Sequence, residues 1–143
     1  MARSYYNVTL LLNREHEQRR LNNGGVAPIV KEVLQDFSRR AARVYAWVVM
    51  PDHMHLLFSR AKPLNNLAHF VGRIKRQINA RLELAGNANL SWRDGYIAYE
   101  VNHRSLGEAR THIMNNPVRG RLVKEPAEYA MGATPAEIEP DAT

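Results

Sequence analysis

Two histidines one residue apart, His53 and His55, stand inside the largely apolar run VYAWVVMPDHMHLLF from Val44 to Phe58. An imidazole can carry a proton or bind a metal near neutral pH. Pro51 and Asp52 separate two halves rich in β-branched and aromatic residues, which predicts a strand, a tight turn and a second strand. Side chains alternate along a strand, so His53 and His55 share one face, roughly 7 Å apart along the chain. Two imidazoles presented in this way can grip one divalent ion. A single histidine in an apolar strand is more often a hydrogen-bonded core residue. The second histidine and the flanking residues shift the balance towards a site.

A second group of candidates lies further along. His112 and Asn116 are four residues apart in a predicted helix, on one face near its C-terminal end. Each has an ordinary structural role available. A histidine there sits favourably against the helix dipole, and Asn before Pro117 is common capping chemistry. Arg119 and Arg121 follow, free to hold phosphate or to be solvated. Upstream, Arg73, Lys75 and Arg76 populate the polar side of a longer helix, where contact with a phosphate backbone competes with plain solvation. Trp92 and Arg93 suit base stacking and phosphate binding respectively, although a packed Trp is the commoner outcome.

The elements that position these groups follow from patterning. Tyr5–Leu12 reads as a first strand, and Asn13–Gly25 as a polar loop ending in Asn22-Asn23-Gly24-Gly25. An amphipathic helix is predicted from Pro28 to about Arg43, with Ile29, Val30, Val33, Leu34, Phe37 and Ala41 as its apolar stripe. A second helix covers Leu64–Leu84, and Tyr96–Val101 reads as a short strand. Ser105 and Glu108 form a capping-box pattern opening a third helix, which ends near Asn115 ahead of Pro117. This order predicts an α+β domain over residues 1–123, with a mainly antiparallel sheet of four to five strands covered by helices. Residues 124–143, acidic and rich in Pro and Ala, are expected to form a loosely ordered tail.

With 143 residues the chain makes one domain with a real core. It has no cysteine, which excludes disulfides, thiolate metal sites and thiol nucleophiles. No apolar run approaches the ~20 residues of a membrane span, and the first residues lack the order of a secretory signal. A cytoplasmic location and no membrane partner are expected. Charge is uneven: residues 1–123 hold 19 Lys and Arg against 9 Asp and Glu, while the remainder is net acidic. A basic domain of that kind favours a polyanion, since each neutralised phosphate releases counterions.

The run WVVMPDHMHLLF resembles the HUH signature (His, hydrophobic, His) of single-tyrosine HUH transposases, closest to the REP-associated group, where it is typically W-x-x-M-P-N-H-x-H-L-L. HIMNNPVRGRLV, from His112 to Val123, resembles the family pattern Y-I-x-x-N-P-V-R-x-G-L-V. The resemblance covers roughly Tyr5 to Val123. It implies a ferredoxin-like or RRM-like sheet with the histidine pair on a central strand. It also implies single-stranded DNA as partner, in some relatives a hairpin, and a protein that is a monomer or a homodimer. The implied ligands of Mg²⁺ or Mn²⁺ are His53, His55 and Asn116, and the implied reaction is strand cleavage and rejoining through a tyrosine. At the tyrosine position this chain has His112, and Asp52 replaces the usual Asn. Three readings follow: a domesticated DNA-binding module without full chemistry, a different nucleophile with Tyr96 and Tyr99 nearest, or His112 as a third metal ligand. The last would suit Zn²⁺ and a water-using phosphodiesterase, or a phosphohistidine intermediate.

Overall fold

A computed structural model describes residues 3–13, 21–40, 42–61 and 67–139. At its centre is the expected hairpin, β2 (Arg43–Val49) and β3 (His53–Ala61). Pro51 presets the turn between them, and the Met50 amide donates to the His53 carbonyl at 2.8 Å to close it. The outer carbonyls of the turn are also used: Leu12 donates to Asp52 and Leu21 to Pro51, both at 2.9 Å.

A bulge between Val44 and Ala46 interrupts the register of β2 against β3. A strand that slips by one residue exchanges its faces. Here Val44, Trp47 and Val49 join one core cluster, while Tyr45, Ala46, Val48 and Met50 join the other. The inserted Tyr45 bonds through its hydroxyl to Ser59 Oγ at 2.9 Å. That contact, with Arg3 Nε donating to the same Ser59 Oγ at 2.8 Å, satisfies a buried hydroxyl.

Around the hairpin run β1 (Arg3–Leu11), β4 (Ile97–Val101) and a short β5 (Gly132–Ala133), giving a five-stranded antiparallel sheet of order β4-β1-β3-β2-β5. The α+β architecture with a central histidine strand is as expected. Helices α1 (Ala27–Arg40) and α2 (Leu67–Leu84) place Val30, Val33, Leu34, Phe37, Phe70, Val71, Ile74, Ile78 and Leu82 in one cluster with Val8, Leu10, Met54, Leu56 and Phe58. Phe58 stacks on Phe70 with centroids 4.7 Å apart. On the surface, Arg81 of α2 ties Glu32 and Asp36 of α1 at 2.9 and 2.6 Å. Its hydrogen bond holds the Asp36 carboxyl below the usual range. Ala41 and the expected helix start at Leu64 lie outside the described residues, as do 14–20 of the first loop.

The opposite face is covered only in part. Helix α3 (Leu106–Met114) lays Leu106 and Ile113 against β2. Its capping box is not formed: Ser105 has φ −97° and ψ 1°, not the extended conformation of a capping residue, and its side chain makes no cap bond. Instead Asn102 accepts from the Arg104 amide at 3.1 Å and caps a 3₁₀ turn leading into the helix.

The segment after Val123, as far as it is described, runs along the edge of the sheet. The outer edge of β2 offers unpaired backbone groups, and β5 (Gly132–Ala133) pairs with Val48 and Trp47. Val49 donates to Met131 at 2.8 Å, Ala136 donates to Val44 at 2.9 Å, and the Tyr129 hydroxyl donates to the Val49 carbonyl. Gly132 permits this approach, because a Cβ there would meet Val48 Cγ2 at 3.0 Å. Residues 140–143 lie outside the described residues.

Candidate metal and nucleic-acid site

Alternation along β3 sends Met54, Leu56 and Phe58 towards α1 and α2 and turns His53 and His55 to the other face. The two rings meet edge to face with centroids 4.9 Å apart. Each ring is fixed by its Nδ1. His53 Nδ1 lies 2.8 Å from Asp52 Oδ1, and His55 Nδ1 lies 2.9 Å from Thr9 Oγ1. A carboxylate can only accept, so its partner places the His53 proton on Nδ1 and leaves the lone pair on Nε2. Thr9 lies directly opposite His55 in the β1–β3 register, so strand pairing delivers this contact.

The His55 imidazole is pushed down to about 4, first by burial and then by the charges of His53, Arg119 and His112. It is therefore neutral near pH 7, the form that binds metal. The same causes place Arg119 and His112 within electrostatic reach of the pair.

This donor set fits a divalent ion: two imidazoles on one face, oriented by hydrogen bonds at the nitrogen away from the ligand position. Among the described residues, no group of three His, Cys, Asp or Glu is gathered to hold a metal.

The His112–Asn116 pair does not share one helix. Pro117 has no amide proton to continue the ladder, so α3 ends at Met114 and a new four-residue helix, α4 (Asn116–Arg119), begins past Asn115. Arg119 bridges the break, its Nη2 donating to the His112 carbonyl at 2.8 Å. The His112 side chain is exposed and Asn116 is partly buried.

The sequence matches the description "Transposase IS200 like" over residues 3–116, most of the chain and both histidines of the pair. The protein belongs to the IS200-like transposase family. Its fold is similar to the structure of a REP-associated tyrosine transposase bound to a REP hairpin. That match has a TM-score of 0.66 and 21% identity, over 90% of this chain and 75% of the other. It is also similar to a transposase candidate from Deinococcus radiodurans R1, with a TM-score of 0.56 and 21% identity over 80% and 92% of the two chains. No curated protein matches the sequence.

Within this member of the family, the other candidates divide by face. Tyr96 packs with the cluster under α1 and α2, away from the histidines, whereas Tyr99 is on their face and exposed. Arg73 and Arg76 line a shallow groove on α2, across the sheet from the pair. Lys75 is engaged: its Nζ donates to the Arg93 and Gly95 carbonyls at 3.0 and 2.8 Å, and it lies over the Trp92 ring at 5.9 Å. Trp92 is partly buried against the core, so the packed outcome holds for it. Arg93 is exposed. Arg121 is exposed too, with φ 60°, at the position where the family pattern carries Gly. The sequence pointed to Asp52 but not to Thr9, whose role depends on a register that no local motif encodes.

Proposed function

We propose that this protein binds single-stranded DNA across its histidine face, on a scaffold built for metal-assisted strand cleavage and rejoining, with His112 replacing the attacking tyrosine. One observation carries the reading: two adjacent imidazoles whose Nδ1 atoms are both occupied, leaving Nε2 on each for a metal. His53 and His55 would hold the ion, with Asn116 as the third ligand. Bound there, Mg²⁺ or Mn²⁺ would supply Lewis-acid polarisation of the scissile phosphate. Arg119, within electrostatic reach of His55, supplies fixed positive charge for a phosphate oxygen. The REP hairpin in the similar solved structure supports a hairpin as the DNA to test.

His112 cannot form a phosphotyrosine, so the covalent step is interrupted at that position. The test is incubation with Mn²⁺ and labelled hairpin DNA, with and without His112→Tyr, followed by a denaturing gel. We expect a protein–DNA adduct in the variant and none in the natural protein. An adduct in the natural protein that is lost with Tyr99→Phe would move the nucleophile to β4. Binding without an adduct from either protein would make this a binding module.

A further inference from the structure

Four large hydrophobic side chains are exposed among the described residues, and two of them, Ile97 and Tyr99, stand two apart on β4. Tyr99 is 66% exposed and Ile97 44%. Their face is fixed by the residues around them. Tyr96 and Ala98 pack with the cluster under α1 and α2, and Val101 packs with the cluster on the histidine side. Ile97 and Tyr99 therefore lie on the same side of the sheet as His53 and His55. The register makes the surface continuous: Ile97 pairs with Thr9, and Thr9 pairs with and hydrogen-bonds His55. Tyr99 stands one row along, beside Asn7. Helix α3 packs on β2 in a cluster that reaches Tyr5 of β1 and Val101 of β4, and Ile97 and Tyr99 stay exposed beyond it.

An exposed tyrosine beside an isoleucine, joined by one cross-strand row to a candidate metal pair, is an unusual thing to leave in water. We propose that Tyr99 and Ile97 form a platform on which unpaired bases stack as a DNA strand crosses the sheet towards His53 and His55. Charge at the two ends of β4 fits the accompanying backbone: Arg93 precedes the strand and Arg104 follows it, both exposed. Glu100 is turned to the other face by the strand alternation, opposite Tyr6. Stacking on an aromatic ring tolerates any base, so the platform would hold the strand without selecting its sequence.

This inference rests on the proposed DNA binding, and the test separates the two. The affinity of a labelled single-stranded oligonucleotide is measured by fluorescence anisotropy at several salt concentrations, with a matched oligonucleotide carrying abasic sites. Tyr99→Ala should weaken binding about 5- to 150-fold, the range for loss of one stacked base. The slope of affinity against salt should be unchanged, and the loss should shrink on the abasic strand. Tyr99→Phe should stay within about twofold of the natural protein, whereas Arg93→Ala or Arg104→Ala should reduce the salt slope by about one. Tyr99→Ala binding within twofold of the natural protein, or Tyr99→Phe as weak as Tyr99→Ala, overturns the platform while DNA binding stands. Failure of the natural protein to bind any single strand overturns both. If Tyr99→Ala does not fold, quenching of a Tyr99→Trp indole by added strand replaces it, and no quenching overturns the platform. A DNA-free dimer that dissociates on substitution of Tyr99 would assign the face to a second copy instead and overturn the proposal.

Discussion

The β2–β3 hairpin and the α3–α4 segment each contribute to the candidate site, and they are built in opposite ways. In the hairpin, every residue from Val44 to Met50 is buried, and both histidines have a hydrogen-bonded ring nitrogen. In α3–α4, His112 and Arg119 are exposed, the helix is broken at Asn115, and Arg121 sits at φ 60°. The fixed half suits ligands whose geometry must not change. The exposed half suits groups that meet a large, variable partner.

Substitutions can break that contrast. Phe58→Ala should cost about 3–5 kcal/mol in chemical denaturation, by removing the stack on Phe70 from beneath the hairpin. Arg119→Ala should stay within about 0.5 kcal/mol, as exposed positions do. Equal costs would mean that the two regions form one rigid unit. Metal binding should divide them similarly. By calorimetry, His55→Ala should lower Mn²⁺ affinity by more than about 100-fold, and Asp52→Ala by about 10- to 100-fold through loss of orientation. His112→Ala should change it by less than about threefold, on the reading that it is not a ligand.

A third expectation concerns acid. In metal-free protein, His55 is pushed down to about 4 against an ordinary 6.5, so the unfolded chain binds more protons between these values. This contribution is complete above pH 6.5 and is lost as pH falls towards 4. It amounts to something on the order of 2 kcal/mol after allowance for partial exposure. Denaturation of His55→Gln should show a flatter slope over that window. An unchanged slope would assign acid sensitivity elsewhere. A small gain is expected from Arg121→Gly, which should raise stability by about 0.5–1 kcal/mol by relieving a left-handed residue. A loss of stability would show that the Arg121 side chain holds the segment in place.

Much of the hairpin was legible because alternation, Pro51 and a histidine repeat are all local signals. The helices under the sheet were legible from their apolar spacing. Three features were hidden for a shared reason. The Tyr45 bulge, the Thr9 contact and the docking of residues 129–138 on β2 are all settled by which backbone groups remain unpaired after the sheet assembles. The helix break was half legible: Pro117 announced an end, but nothing local announced that a new turn would start at once.

The Thr9–His55 bond has a consequence in time. Thr9 comes from the first strand, His55 from the middle of the chain, and Arg119 from its last helix. The hairpin can close early from neighbouring residues, whereas contacts between distant parts of a chain form late. During synthesis, Thr9 and both histidines would therefore emerge well before Arg119, which charges their surroundings. A growing chain would carry the paired histidines before the last helix completes their face.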